Sequence, residues 1–229
     1  MDWRAQCAAV IPCLNEAARI GPLVERLRLC LPNVIVVDDG SRDATAIVAR
    51  EAGAEVLEHP SSQGKGAALQ TGWKHALQRG FSWALSLDGD GQHSPEDIPA
   101  FFHCMENTGA DLVVGDRFGE ANRIPWVRRQ VNRWMSRRLS RAMGHRLPDT
   151  QCGFRLMRLS AWHSLPLAAS HYEIESEILV SFVHAGFKVD FVPIRVIYAG
   201  EHSKIHPVWD TVRWFGWLKS AKTRGLFDR

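Results

Sequence analysis

Through the first half of the chain, short apolar runs that each close on a polar motif alternate with longer amphipathic stretches. The runs lie at 7–12 (CAAVIP), 34–37 (VIVV), 55–57 (EVL), 83–87 (WALSL) and 111–114 (DLVV), and read as strands. The stretches between them, 16–30, 43–52, 66–79 and 95–107, read as helices. Asp43 is suited to cap one of these. Ser94-Pro95 followed by Glu96 and Asp97 has the composition of a helix start. Strand–helix alternation of this kind implies an α/β fold, a mixed and mainly parallel sheet flanked by helices. Ligands of such sheets bind at the carboxyl ends of the strands, so a polar motif directly after a strand stands where chemistry is expected.

The second half is less regular. A loop is expected at 117–125, a basic amphipathic helix at 126–143, and loop and strand pieces at 147–158. A helix at about 173–185 and a strand at 187–197 come next. A polar loop at 199–206 then leads to a Trp-rich helix at about 207–223. No repeat or linker divides the chain, so a single domain over 1–229 is expected. The chain has 229 residues, 45% of them hydrophobic and 23% charged, which is enough to build a core. The first ten residues lack the apolar run of a signal peptide, and no stretch reaches the roughly 18 apolar residues of a membrane span. A cytoplasmic protein, peripheral on the cytoplasmic face of a membrane, is therefore expected. Cys7, Cys13, Cys30, Cys104 and Cys152 are scattered and odd in number, which suits reduced thiols.

The net charge of +3 conceals an asymmetry. Eight arginines and no acid lie between Arg123 and Arg146, and the remainder carries 20 basic against 25 acidic side chains. A basic segment on an acidic body suggests an anionic partner for that segment. Within it, Val127, Val131, Trp134, Met135, Leu139 and Ala142 fall on one predicted helical stripe, with Arg128, Arg129, Arg133, Arg137 and Arg141 largely elsewhere. Such a helix suits an anionic lipid surface. The C-terminal helix mixes Trp209, Trp214, Phe215, Trp217 and Leu218 with Arg213, Lys219, Lys222 and Arg224, a membrane-interface composition too short and too charged to span.

The sharpest chemical motif is Asp88-Gly89-Asp90-Gly91-Gln92, directly after WALSL. Two carboxylates two residues apart at a strand end can converge on one hard cation, Mg2+ or Mn2+, with Gln92 adding an oxygen. A solvated Asp-Gly turn is the competing reading. A calcium EF-hand is excluded, because His93 stands where that loop requires Gly. In a second motif, Val36-Val37-Asp38-Asp39-Gly40-Ser41-Arg42-Asp43, Asp38 and Asp39 can accept from a base and a ribose, the competing reading being a strand-to-helix turn capped by Asp43 or Ser41. A third, Ile11-Pro12-Cys13-Leu14-Asn15-Glu16, ends the first strand. In the fourth, Gln63-Gly64-Lys65-Gly66, the glycines allow close backbone approach and Lys65 can meet phosphate. No Ser or Thr follows the lysine, so this is not a Walker A loop.

Taken in chain order, from Ile11–Glu16 through Val36–Asp43 and Gln63–Gly66 to Asp88–Gln92, the four motifs resemble the nucleotide-sugar-binding half of family 2 glycosyltransferases, which have the GT-A fold, a Rossmann-like architecture. The resemblance extends through Val113-Val114-Gly115-Asp116-Arg117, Asn132-Arg133, Ser136-Arg137 and Asp149-Thr150-Gln151-Cys152-Gly153-Phe154-Arg155, and there it narrows to the polyprenol-phosphate mannose and glucose synthases. It implies a nucleotide-binding set of Pro12, Leu14, Asn15, Glu16, Asp38, Asp39, Lys65, Asp88, Gly89 and Asp90. It also implies Lys204, after Ser203, on a loop closing over the donor diphosphate. Arg117, Arg133, Ser136 and Arg137 are implied near an acceptor phosphate. Cys152 departs from the small Ser-like residue usual there, and no membrane-spanning tail is found among these residues.

The implied activity is inverting transfer of a hexose from a GDP-mannose- or UDP-glucose-type donor to a polyprenyl phosphate. Asp90, Asp149 and Arg117 are the expected catalytic residues, and Asp88, Asp90 and Gln92 the expected ligands of Mg2+ or Mn2+. A phosphate acceptor needs no strong base, whereas a lipid or aromatic hydroxyl acceptor would need one, with Asp149 the candidate. Expected partners are the nucleotide-sugar donor, a lipid-linked acceptor and the membrane surface, with a membrane protein or a second copy of the chain as further candidates. A nucleotidyltransferase is disfavoured by Asn15-Glu16-Ala17, where that class carries a Gly-rich basic loop. A nucleic-acid module is disfavoured by the acidic body and strand-end carboxylates.

Overall fold

The structure, a computed structural model, describes residues 3–119, 126–197 and 207–227. Side chains are described within those spans except at 127, 128 and 207–210. Seven strands form one sheet among the described residues: β1 (Cys7–Cys13), β2 (Val34–Asp38), β3 (Glu55–Glu58), β4 (Trp83–Ser86), β5 (Leu112–Asp116), β6 (Arg155–Arg158) and β7 (Val189–Pro193), in the order β3-β2-β1-β4-β6-β5-β7. All neighbours pair in parallel except β6, which runs antiparallel to both β4 and β5. The helices are α1 (Trp3–Gln6), α2 (Ala17–Cys30), α3 (Thr45–Glu51), α4 (Lys65–Gln78), α5 (Ile98–Thr108), α6 (Trp126–Met143), α7 (Leu159–His163), α8 (Ile174–His184) and α9 (Pro207–Thr223). A 3-10 turn at Pro95–Asp97 leads into α5.

The central strands read as unbroken apolar runs because both faces are covered. Every residue of β2 and β4 is buried, as is nearly all of β1. Gly72 lets α4 lie directly on the sheet, since a Cβ there would come within 2.4 Å of Val10 Cγ1. Trp73 from the same helix donates to Ser86 Oγ at 2.8 Å.

The direction of β6 decides which residues share the functional edge of the sheet. Because this strand runs backwards, its first residues lie at the same edge as the last residues of β1, β2, β4 and β5. The segment 149–155 is thereby brought to the carboxyl ends of the parallel strands. The sequence indicated strand pieces here without determining this direction. It also did not indicate α1 and α7, both under six residues long. The described cysteines are free thiols, in line with expectation.

Candidate active site

The ends of β1 and β2 are stitched together by side chains. Asn15 takes a left-handed backbone (φ 52), a conformation Asn tolerates better than most residues. Its N–H donates to Ser41 Oγ at 2.8 Å, and its Oδ1 accepts from Arg42 N at 2.8 Å. Ser41 in turn donates from both N and Oγ to Asp38 Oδ1. Glu16 is buried and pairs with Arg19 at 3.3 Å, while its N–H donates to Thr45 Oγ1. Asp43 serves both neighbouring helices, accepting from Ala17 N at 3.2 Å and from Thr45 N at 3.0 Å. Above these ends lies a cleft of about 550 Å³ lined by Leu14, Asn15, Asp38, Ser41, His59 and Ser61. Asp38 Oδ2 faces no hydrogen-bond donor among the described residues. Pro12 lies within β1, paired with Val37.

Asp39 has a different setting from the one expected. Oδ1 accepts from His59 Nδ1 at 2.7 Å and Gln63 N at 2.9 Å; Oδ2 accepts from Ser62 Oγ at 2.7 Å and Gly64 N at 2.9 Å. Four bonds fill a carboxylate's acceptor sites. Burial pushes the Asp39 carboxyl up, but the Gln63 amide and the other three donors outweigh it and hold the pKa below the usual value. Asp39 thus fixes the 59–64 segment rather than offering itself to a ribose. Gly64 and Gly66 are also corrected. Cβ atoms there would come within 2.5 Å of Ser170 O and 2.7 Å of Ser170 C, and Ala67 N donates to Ser170 O at 3.0 Å. These glycines admit the 169–171 backbone.

Lys65, beside them, does face the metal motif. Its Nζ lies 2.5 Å from Asp88 Oδ1 and 2.6 Å from Glu175 Oε1. His93 Nε2 is 3.5 Å from Asp88 Oδ2. Burial would raise the Asp88 pKa, but the Lys65 ammonium holds it far below the ordinary range. Asp90 moves the other way, raised by burial and then by the Asp88 charge. Its Oδ1 accepts from Gln92 N at 3.0 Å. Gly89 fits only as glycine, because a Cβ would come within 2.6 Å of Cys13 Sγ. No group of three or more His, Cys, Asp or Glu side chains converges on a metal position among the described residues. Asp88 and Glu175 share one lysine here, however, and Asp90 stands beside them with its pKa raised by burial and then by the Asp88 charge. Asp88 and Asp90 therefore suit a divalent cation that takes its remaining oxygens from a ligand.

On the other side of the edge, Arg117 donates from Nε and Nη2 to Asp149 Oδ2 and Oδ1 at 2.7 and 2.9 Å. Asp149 is 0% exposed, and Gln151 N also donates to it at 3.1 Å. Burial raises its pKa, but Arg117 more than reverses that and keeps it ionised. The general-base role expected for Asp149 is corrected on this ground: both oxygens are engaged and its proton affinity is lowered. Its position makes it the holder of Arg117, whose Nη1 has no partner among the described residues. Cys152, behind this pair, is buried and its thiol is pushed up to about 12 by that burial.

Helix α6 is rotated relative to the expected stripe. Met135, Leu139 and Met143 face in together with Asn132 and Ser136, whereas Val131, Trp134 and Ala142 face out. The reason is polar. Ser136 Oγ accepts from Thr150 N at 3.1 Å and lies 3.2 Å from Thr150 Oγ1, tying α6 to the Asp149 segment. Ser136 is therefore committed to the protein. Arg133 is half-buried with its guanidinium 5.3 Å from the Phe118 ring centroid, and Arg137 is exposed. Trp134 packs on Trp214 and Phe215 of α9, both at 5.8 Å. Trp134 and Phe215 are each 46% exposed, beside exposed Val131 and Val212. No described helix is long and apolar enough to cross a membrane. His202, Ser203, Lys204, His206 and Arg123 lie outside the described residues, as do the side chains of Val127, Arg128 and Trp209.

Glu175 was not legible as a site residue. Its signal is weak but physical: Ile174-Glu175-Ser176-Glu177 places two acids within an otherwise apolar helix, and buried acids need partners.

The family model described as Glycosyl transferase family 2 matches residues 8–165. The chain is 30% identical over 199 residues to the polyprenol monophosphomannose synthase of Mycolicibacterium smegmatis, covering 81% of this chain and 75% of that one. It is 31% identical over 212 residues to the UDP-N-acetylglucosamine–dolichyl-phosphate N-acetylglucosaminyltransferase of Methanococcus voltae, covering 82% and 84%. Among solved structures, the Mycobacterium tuberculosis glucosyl-3-phosphoglycerate synthase with Mn2+, UDP and phosphoglyceric acid superimposes with a TM-score of 0.73. That match has 22% identity and covers 99% of this chain and 80% of that one, a likeness of fold. The fold is the GT-A fold that the motifs implied.

Proposed function

The chain belongs to glycosyltransferase family 2, and we propose that it moves a hexose from a nucleotide diphosphate sugar to a polyprenyl phosphate at a membrane surface, with inversion at the anomeric carbon. The observation that carries the acceptor class is the buried Arg117–Asp149 pair. It offers an anion a fixed guanidinium edge and withholds the one carboxylate expected to deprotonate a hydroxyl. A phosphate monoester is already an anionic nucleophile near neutral pH and asks only to be held.

In this mechanism the nucleoside sits in the cleft over Leu14, Asn15 and Asp38, with Asp38 Oδ2 accepting from a ribose hydroxyl or a base N–H. Glu16 and Asp39 act behind it, as supports for the strand-end turns. Asp88 and Asp90 would hold Mg2+ or Mn2+ at the donor diphosphate, with Gln92 close by. When bound, that cation offsets the charge that develops on the departing nucleoside diphosphate. Lys65, set between Asp88 and Glu175, adds a second positive charge beside the diphosphate. Arg117, Arg133 and Arg137 orient the acceptor phosphate, with Asp149 holding Arg117 and Ser136 holding the helix that bears Arg133 and Arg137. An acceptor oxygen forms the new bond to the anomeric carbon as the bond to the diphosphate breaks. The leaving group carries the released electron pair, and no proton changes hands. Lys204 is assigned to closure over the diphosphate on resemblance alone. The exposed aromatics of α6 and α9, ringed by arginine and lysine, suit the interface where a polyprenyl chain is presented.

The test is transfer by purified protein from GDP- and UDP-sugars to a short polyprenyl phosphate with Mn2+. Sugar on the lipid phosphate supports the proposal. Donor hydrolysis without transfer would move the acceptor to a hydroxyl, and no turnover of any donor would refute the reading.

A further inference from the structure

Lys65 stands between two acids from distant parts of the chain, Asp88 at the end of β4 and Glu175 in the first turn of α8, at 2.5 and 2.6 Å. Glu175 is 4% exposed and has no hydrogen-bond donor other than this ammonium among the described residues. Its carbonyl is pinned by Arg155 Nη1 at 2.6 Å, so the helix turn that bears it is fixed. On the opposite side, a Cβ on Gly153 would come within 2.8 Å of Asp88 Oδ1 and 3.1 Å of Lys65 Nζ, so backbone closes that wall. The Tyr172 ring centroid lies 5.5 Å from Nζ. The ammonium thus has a short path between two carboxylates. Leaving toward water would leave the buried Glu175 carboxylate with no hydrogen-bonded cation, facing only the electrostatic pull of Arg155, whose Nη1 is spent on the Glu175 carbonyl.

Resting on the assignment of Asp88 and Asp90 to a divalent cation, we propose that Lys65 is an exchangeable internal cation, holding Asp88 until the metal arrives and then passing to Glu175. Glu175 is then a positioning residue for metal loading: it gives the displaced ammonium a seat inside the site, next to the diphosphate. Nothing in the motifs assigns it this part. Without it, Lys65 would have only Asp88 and would compete with the metal for that carboxylate.

Two simple charge effects would mimic part of this, because any lysine repels a metal and any acid attracts one. Non-additivity separates them. Mn2+ binding is measured directly, by the loss of the free-ion electron paramagnetic resonance signal, with Mn2+ alone and with Mn2+ plus UDP. The proteins are the unsubstituted chain, Lys65→Met, Glu175→Gln and the double variant. Lys65→Met should tighten Mn2+ binding without nucleotide by about tenfold, and Glu175→Gln should weaken it by about tenfold. The weakening by Glu175→Gln should be smaller by about fivefold or more when it is introduced into Lys65→Met. Equal effects in both backgrounds, within about twofold, would overturn the exchange while leaving the metal site standing. A larger effect in the Lys65→Met background would make Glu175 a direct ligand and also overturn it. Failure of the unsubstituted protein to bind Mn2+ with UDP would instead overturn the metal reading, and the exchange with it. Melting curves without Mn2+ verify that each variant folds, and Lys65→Gln replaces Lys65→Met if the latter does not.

Discussion

Replacing Gly153 with Ala adds one methyl group at the point where the site is tightest. Gly153 does not have a positive φ, so the backbone accepts a side chain without strain. The obstacle is space: the new Cβ would stand 2.8 and 3.0 Å from the two Asp88 carboxylate oxygens and 3.1 Å from Lys65 Nζ. The glycine side is unable to yield. The Cys152 carbonyl accepts from Arg155 Nε at 2.7 Å and the Phe154 carbonyl from Gly115 N at 2.9 Å, fixing the chain on both flanks. Asp88 and Lys65 must move by roughly a few tenths of an ångström. Overpacking of this kind costs about 1–3 kcal/mol, and the flexible lysine end brings the expected loss near the lower limit. For a domain of this size, about 1 kcal/mol lowers Tm by roughly 2–4 °C. The consequence for the cation site should be larger than that for stability, because Asp88 is the carboxylate displaced. Mn2+ affinity in the presence of UDP should fall by about tenfold, equivalent to about 1.4 kcal/mol. Gly216→Ala is the control. It lies in α9, where a Cβ would meet nothing within 4 Å, and should leave Mn2+ binding unchanged while raising helix stability by up to about 1 kcal/mol. If Gly153→Ala binds Mn2+ within about twofold of the unsubstituted protein, Asp88 is not a metal ligand in the geometry described.

Asp149→Asn breaks a fully buried ion pair and should cost about 3–5 kcal/mol in urea unfolding, with acceptor KM rising more than donor KM because Arg117 loses its holder. Were Asp149 a base instead, kcat would fall with little change in acceptor KM. Asp39 has a depressed pKa, so its stabilising contribution is complete above its unfolded value near 4 and is lost as pH falls through the lower folded value. Asp39→Asn should therefore be destabilising at pH 7, by about 1–3 kcal/mol for a mispaired buried donor, with a smaller difference from the unsubstituted protein at a pH under the unfolded value near 4. Unfolding curves at the two pH values test this. Replacing both Trp134 and Phe215 with Ser should weaken sedimentation with vesicles of anionic lipid by about tenfold or more, with donor hydrolysis unaffected; unchanged vesicle binding would remove the membrane role from this face.

The parts of the site legible in the sequence share one property: they are polar residues next in the chain to a buried apolar strand. A run such as WALSL ending in Asp88-Gly89-Asp90 states both its own burial and the position of the acids beyond it. What was not legible depends on partners far along the chain. Asp39 looks like a ligand to a ribose until His59, Ser62, Gln63 and Gly64 come round to fill it. Gly64 and Gly66 have the look of a phosphate loop, but the tight neighbour is Ser170, over a hundred residues later. The same cause turned α6. Periodicity alone assigns its core face to the most apolar stripe, yet Ser136 is drawn inward by a segment that reaches it only because β6 runs antiparallel. That reversal also carries Gly153 to Asp88, where absence of a side chain is itself the requirement. A glycine in Asp149-Thr150-Gln151-Cys152-Gly153 gives no hint that it bounds a cation site at the end of another strand. For each of these residues the surroundings, not the residue type, decide what it touches. In this fold the motifs at the ends of β1, β2 and β4 are written locally, one by one, whereas the Arg117–Asp149 side of the sheet edge is assembled by one antiparallel strand.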